Sequence, residues 1–311
     1  QGPLAKYFDE LCDDSFFGEK TWEKAEATMQ RRVLRRALEQ AGLKPGDVDY
    51  VLAGDLLNQC IGSSFGLREL GIPFFGLYGA CSTMGEGLAL AAMTLDGGFG
   101  QRAGVVVSSH FCTAERQYRT PLEYGSQRTP TAQWTATAAG ACLLRPAGQG
   151  FGIRAVTFGR VQDLGIRDIN NMGAAMAPAA ASTLLHYFAD THTEPQEFDC
   201  IYTGDLGQVG SSLLRELLAA EGLLVKNHVD CGCILFDAAE QQVKSGGSGP
   251  GCCAAVLCGH ILPRLLRRSQ KRVLFVATGA LMSQTTFLQK ESIPAVAHLV
   301  ELRAPEKESG A

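Results

Sequence analysis

Residues 45–56 read Pro45-Gly46-Asp47-Val48-Asp49-Tyr50-Val51-Leu52-Ala53-Gly54-Asp55-Leu56, and residues 195–206 read Pro195-Gln196-Glu197-Phe198-Asp199-Cys200-Ile201-Tyr202-Thr203-Gly204-Asp205-Leu206. An offset of 150 residues lays Asp55 on Asp205, and in both stretches a Pro leads into an apolar run that ends in Gly-Asp-Leu. Each is preceded by an amphipathic helix. One spans about Trp22 to Ala41, with Ala25, Met29, Val33, Leu34, Ala37 and Leu38 on one stripe; the other spans about Ala174 to Ala189, with Ala177, Ala181, Leu184, Leu185 and Phe188. A further echo follows in the same order. Gly79–Gly85 opens a helix that precedes the strand Ala103–Ser108, and Gly246–Gly251 opens a helix from Cys252 to about Arg268 that precedes the strand Arg272–Thr278. The offset there has grown to 170, from Arg102 to Arg272, so the second copy carries an insertion. Three ordered matches indicate a duplicated chain.

Strands alternate with helices in both halves, and the strands are near-continuous apolar runs, as expected of parallel sheets covered on both faces. The helices beginning near Cys81 and Cys252 are apolar and rich in small residues on all sides, which suits a central layer shared by two sheets. The expected organisation is a first half over residues 1–150, a second over 151–303 and a disordered tail over 304–311. The chain opens at Gln1-Gly2-Pro3 without an initiating Met, as a fragment of a longer protein would.

Cys81 stands in Gly79-Ala80-Cys81-Ser82-Thr83, after the apolar run Phe74–Tyr78 and before a helix-like stretch from Glu86 to Leu95. Strand, small-residue turn and helix make a nucleophile elbow. A thiol there meets the positive end of a helix dipole, which is expected to favour thiolate. The same free N–H groups would serve an anion. The sequence therefore leaves two readings of this point: a reactive cysteine, or the floor of a pocket for a carboxylate.

The bulk composition is that of an ordinary globular protein, 46% hydrophobic and 19% charged, with a net charge of −4. No basic stripe points to nucleic acid. The local cluster Arg264, Arg267, Arg268, Lys271 and Arg272 reads as a solvated helix end, with an acidic partner or lipid headgroup as the alternative. The 11 cysteines are odd in number and irregular in spacing, and Cys231-Gly232-Cys233 and Cys252-Cys253 match neither a zinc ribbon nor a redox CxxC. Buried free thiols are the expected state. No signal peptide or apolar run of transmembrane length is visible.

These features resemble the thiolase fold, a five-layer α-β-α-β-α sandwich of two related βαβα halves with a cysteine opening the buried helix of the first. Within that superfamily the chain is similar to the stage V sporulation protein AD family of spore-forming bacteria. The similarity is carried by Leu52–Gln59, Gly79–Thr83, Ser108-Ser109-His110 with Thr113–Gln117, Asp168–Pro178, His228–Gly232 and Gln289–Pro294. It implies a non-catalytic protein that binds dipicolinate (pyridine-2,6-dicarboxylate), free or as its calcium chelate, for uptake into the developing spore. It further implies a homodimer, peripheral to the spore inner membrane on its cytoplasmic face, working with membrane proteins of the same operon. No cofactor or resident metal is implied.

A condensing enzyme of this fold needs a cysteine with two partners, His and either Asn or a second Cys, to take the thiol proton and stabilise the oxyanion. Within the thiolase fold that this chain resembles, ketoacyl synthases place one His just after the strand that here is Ile201–Thr203, where Gly204-Asp205-Leu206 stands instead. Thiolases place one in the loop matching Gly246–Gly251, which holds Ser248 and Pro250. The thiol persists without its bases, and acid–base assistance alone is worth about 10² to 10⁴ in rate. His110 and His228, each at a strand end, are the candidate substitutes; an acyltransferase using Cys81 with either is the alternative reading. For a flat dianion, the candidate ligand set is Cys81, His110, Glu115, Arg116, His228 and Asp230. Arg116 or Arg119 would clamp a carboxylate, Tyr118 or Tyr124 would cover the ring, and Asp230 would position a cation or meet bound calcium. Each has a plainer reading too: a structural hydrogen bond for either His, a surface pair for Glu115 and Arg116, a turn cap for Asp230. Thr120–Thr137 suits a lid or a plain connection, and Met172–Pro178 suits core packing.

Overall fold

The computed structural model describes residues 2–118, 128–146 and 150–305. The first half contains α1 (Trp22–Gln40), β1 (Tyr50–Gly54), α2 (Ile61–Leu67), β2 (Phe74–Leu77), α3 (Thr83–Asp96), β3 (Ala103–Ser109), α4 (Phe111–Tyr118), β4 (Trp134–Thr135) and β5 (Ala138–Leu144). The second contains β6 (Gly152–Thr157), α5 (Met172–Thr191), β7 (Cys200–Thr203), α6 (Gly207–Ala220), β8 (His228–Asp230), α7 (Cys231–Leu235), β9 (Gly247–Ser248) and α8 (Pro250–Val256). A π turn (Leu257–Ile261) then leads to α9 (Leu262–Leu266), β10 (Arg272–Ala280), α10 (Gln284–Leu288) and β11 (Ala295–Arg303).

The two sheets repeat one topology. The first runs β2-β1-β3-β5, with β1 parallel to both neighbours and β5 antiparallel to β3. The second runs β8-β7-β10-β11, with the same senses, and adds β6 antiparallel to β11. The insertion announced by the growing offset is the stretch that holds α7 and β9.

Strand alternation sorts the side chains into layers. Leu52, Val105 and Val107 of the first sheet face Val273, Phe275 and Ala277 of the second across Met84, Leu88 and Ala91 of α3 and Cys252, Cys253 and Val256 of α8. On the outside of the first sheet, Val51, Ala53 and Val106 pack on Leu34 and Leu38 of α1. On the outside of the second, Ile201, Leu274 and Val276 pack on Ala177, Ala180 and Leu184 of α5 and on Leu214 and Leu218 of α6. Helix, sheet, paired helices, sheet, helix is the five-layer thiolase-like arrangement. Leu34 is fully buried, so trimming it to Ala would cost about 2–5 kcal/mol.

Helix starts follow local chemistry. Thr21 caps α1 by accepting the Lys24 N–H at 3.4 Å. α5 begins two residues earlier than the periodicity indicates and holds Pro178 within it. The basic cluster is not wholly solvated: Arg272 pairs with Glu301 at 2.7 Å and Glu197 at 3.1 Å and lies over the Phe198 ring. All the cysteines are free thiols and most are buried. Among the described residues no helix is long and apolar enough to cross a membrane. The expected tail from 304 begins with Ala304 donating to Lys271 at 2.8 Å; residues 306–311 lie outside the described residues.

Candidate functional site

The parallel strands of both sheets end toward a cavity of about 80 Å³. Such crevices beyond the carboxyl ends of parallel strands are where α/β proteins hold ligands. Leu56 reaches it from beyond β1, Ala80 and Cys81 from beyond β2, Glu115 and Tyr118 from α4, and Ala280 and Met282 from β10 and just beyond it. Gln133, Thr135, Ser248, Asn170 and Met172 complete the polar and apolar walls.

Cys81 sits in a short turn, Ala80–Ser82, ahead of α3. Ala80 takes φ +51°, a left-handed conformation that costs a side-chain-bearing residue energy and is held only where the surroundings impose it. The imposing neighbour is β10: a Cβ at Gly279 would lie 2.5 Å from the Gly79 carbonyl oxygen and 2.9 Å from the Ser82 nitrogen, so only glycine lets the strand pass under the elbow. The Ser82 and Thr83 N–H groups already donate to the Gly79 and Ala80 carbonyls. The first-turn donors expected to serve an anion are thus partly engaged.

Cys81 is 7% exposed, and its sulfur lies 3.9 Å from the Ser248 hydroxyl. Ser248 donates to Asp205 at 2.8 Å; the fully buried Asp205 also accepts from Thr278 Oγ1 at 2.9 Å and the Gly249 N–H at 3.1 Å. Burial first, and the Asp205 charge second, push the Cys81 thiol well above its ordinary value. The expected thiolate is therefore overturned: desolvation and a carboxylate outweigh a dipole whose first donors are engaged. Burial also raises Asp205, against the bonds it accepts. The two positions where bases would stand in a condensing enzyme, after β7 and in the glycine-rich loop, hold this Asp–Ser pair.

Asp205 is placed by a second carboxylate. Asp230, buried at the end of β8, accepts from the Leu206 N–H at 2.8 Å, the Gly207 N–H at 2.9 Å, Thr203 Oγ1 at 2.6 Å and the Cys233 N–H at 3.1 Å. It caps α7 and fixes the turn carrying Asp205, and it does not line the cavity. Burial raises it to about 6.

The other sequence candidates divide. Glu115 lines the cavity and pairs with Arg128 at 2.9 Å; Arg128 is itself held over the Trp134 ring. Tyr118 lines it, its hydroxyl donating to the Leu56 carbonyl at 2.7 Å. His110 stands away from the cavity: its Nε2 meets the Ser15 carbonyl at 2.8 Å and its Nδ1 accepts the Cys112 N–H. His228 bonds to Thr203 Oγ1 at 2.8 Å, and burial lowers it to about 4. Arg116 turns outward to pair with Glu23 over the Trp22 ring. Arg119, Tyr124 and the first part of the expected lid, residues 120–127, lie outside the described residues.

Gln133, Asn170 and Met172 are among the lining residues that the candidate set left out. Gln133 donates through Nε2 to the carbonyls of Asp205 at 2.5 Å and Gly247 at 3.0 Å, leaving its Oε1 buried without a partner. It arrives through the two-residue parallel ladder of β4 with β9, which also sets Thr135 beside Ser248. Asn170 comes from just ahead of α5 and Met172 is its first residue; for Met172–Pro178 core packing is the expectation the sequence favours. Among the described residues no Arg, Lys or His lines the cavity, and no cluster of His, Cys, Asp and Glu could hold a metal ion by itself.

Residues 1–303 match the family model described as "Stage V sporulation protein AD (SpoVAD)", and the chain is 44% identical to stage V sporulation protein AD of Bacillus subtilis (strain 168) over 298 residues, 96% of this chain and 88% of that one. The chain belongs to the stage V sporulation protein AD family. Solved structures of similar fold include 3-oxoacyl-[acyl-carrier-protein] synthase III from Aquifex aeolicus VF5, at a TM-score of 0.61 and 14% identity over 92% of this chain and 85% of that chain. The corresponding enzyme of Pseudomonas aeruginosa PAO1 gives 0.60 and 15% over 90% and 84%, and a tetronic acid condensing enzyme gives 0.58 and 18% over 89% and 85%. Identities this low establish the shared thiolase-like fold alone.

Proposed function

We propose that this family member is a binding protein built on a condensing-enzyme fold, and that its ligand is dipicolinate handled during spore formation. One observation carries the first part: the elbow thiol faces a serine backed by a buried carboxylate, where a condensing reaction needs a base and an oxyanion donor. The ligand rests on the family resemblance, and the cavity beside Cys81, walled by apolar and polar side chains, is where it would sit.

The cavity refines which form is bound. Among the described lining residues none is Arg, Lys or His, so a bare dianion meets no opposite charge from them and lies above the buried Asp205, an unfavourable arrangement. A calcium chelate brings its own positive charge. Calcium takes six to eight oxygen ligands, and the unpartnered Gln133 Oε1 offers an oxygen atom to a site the dicarboxylate leaves open. In the same reading the protein works as a homodimer on the cytoplasmic face of the spore inner membrane, beside the membrane proteins of its operon.

Calorimetric titration tests this. The calcium chelate is expected to bind saturably and at least about tenfold more tightly than the free dianion, a difference of about 1.4 kcal/mol. Gln133→Leu should weaken the chelate preferentially. Flat titrations with both forms would overturn the ligand. The acyltransferase reading is kept alive by the fold and by Cys81 at the elbow; incubation with acyl-CoA followed by intact mass should show no adduct on Cys81, and a stoichiometric one would reverse the proposal.

A further inference from the structure

Away from the cavity, two thiols meet on the far side of the central layer. β5 and α8 approach closely because Gly140 has no side chain: a Cβ there would lie 2.6 Å from the Ala254 carbonyl oxygen. From that contact the strand advances two residues to Cys142 while the helix advances one turn to Cys258. Both steps cover about 6–7 Å, so the two side chains arrive face to face. Their sulfurs are 3.8 Å apart, and the Cys258 thiol also donates to the Ala141 carbonyl at 3.5 Å.

We infer that Cys142 and Cys258 form a peroxide-oxidisable thiol pair that closes a disulfide between the last strand of the first sheet and the central helix. The roles follow from access. Cys258 is partly exposed, whereas Cys142 is buried, and its neighbour Cys258 and then burial push the Cys142 thiol up. Cys258 is therefore the sulfur a small hydroperoxide reaches. Its thiolate attacks one peroxide oxygen, the O–O bond breaks, and the other oxygen leaves as hydroxide or alkoxide, which takes up the proton the thiol released and departs as water or alcohol; the sulfur, oxidised by two electrons, becomes a sulfenic acid. The Cys142 thiol then attacks that sulfur, the S–S bond forms, and the sulfenic hydroxyl leaves with the thiol proton as water.

Closing the bond requires the sulfurs to move from 3.8 Å to about 2.05 Å. Cys258 lies in the π turn between α8 and α9, where the regular helical ladder is already interrupted. That turn is the yielding side of the pair; β5 is held along its length by seven residue pairings with β3. The bridge would pin α8, whose first residue follows Ser248 and Gly249 at the cavity floor.

The test uses the whole folded chain. Hydrogen peroxide is added, remaining thiols are alkylated, and the protein is digested without reduction. The Cys142–Cys258 cross-linked peptide should exceed every other cysteine pairing by about tenfold and should vanish on treatment with a thiol reductant. In Cys258→Ser, Cys142 should remain an alkylatable thiol after the same exposure. Oxidation of Cys258 to sulfinic acid while Cys142 stays free would overturn the inference. So would equal dominance of this pair in denaturant, because the fold would then have no part in it. The wild-type map decides the matter even if the variant fails to fold.

Discussion

Asp55 and Asp205 occupy one place in the two halves, just beyond β1 and β7, and they serve different ends. Asp55 accepts the Leu57 N–H at 2.8 Å, the Ser63 N–H at 2.7 Å and the Ser63 hydroxyl at 2.6 Å, so it secures its own turn and the start of α2. In the second half the residue matching Leu57 is Gly207, and its N–H goes to Asp230 instead. A carboxylate from the next strand has taken over the capping, and Asp205 is left for the cavity. The outer helices differ in step. At the same offset Glu26 and Gln30 of α1 fall on Met176 and Ala180 of α5. The polar pair meets Ser108 and Ser63 under Asp55, whereas the apolar pair offers nothing to Asp205, whose partners come from the glycine-rich loop and β10. A duplicated fold acquires one site because a single structural duty moved from one aspartate to another.

The largest effect expected from this division is on Asp230. Asp230→Ala strands three buried backbone N–H groups and should cost about 3–5 kcal/mol of stability by denaturant unfolding. Asp230→Asn, which keeps acceptor capacity, should recover part of it. If Asp230→Asn instead unfolds normally and abolishes ligand binding, Asp230 belongs to the site and the division fails. Asp55→Ala should cost about 2–3 kcal/mol, less because it also removes repulsion from Glu26, and should leave ligand affinity unchanged.

The first half's polar cluster has a pH signature of its own. Glu26 is fully buried, and desolvation, then the Asp55 charge, raise it to about 8 from an ordinary 4.5. The folded state thus holds a proton that the unfolded chain releases between those values. The stabilisation is complete below about pH 4.5 and is lost as pH rises toward about 8. Glu26→Gln cannot ionise and should flatten that decline, gaining roughly 2 kcal/mol over wild type at pH 8. Parallel stability curves for the two proteins would show that Glu26 does not titrate in this window.

The layers and the paired strands could be read from the sequence because both rest on local repetition: the Gly-Asp-Leu endings, the helical stripes and the constant offset need no knowledge of distant contacts. Cys81 was legible for the same reason, as a strand, turn and helix in sequence. His110, His228, Arg116 and Asp230 look alike in sequence, polar residues at strand ends or on a short helix. Their partners (Ser15, Thr203, Glu23, and the turn after β7) lie 25 to 95 residues away in the first three cases. No pattern of spacing announces which of them is engaged. Gln133 was hidden for a related reason: a two-residue ladder to a loop more than a hundred residues on carries no periodic signal.

The smallest effect is the most direct probe of the cavity. Asp205 acts on Cys81 through charge, second to burial, so Asp205→Asn should lower the thiol's pKa without exposing it. Asn keeps an acceptor for Thr278 and gains a donor for Ser248, which is then free to turn its hydroxyl toward the sulfur. Alkylation of Cys81 by iodoacetamide at pH 8 should be slow in wild type, slower than at the exposed Cys12, and should quicken by about tenfold in the variant. The matching change in the first half, Asp55→Asn, should leave Cys81 as slow as before. A wild-type Cys81 that reacts faster than Cys12 would mean the thiolate is present after all, and the two aspartates would then differ in catalysis rather than in architecture.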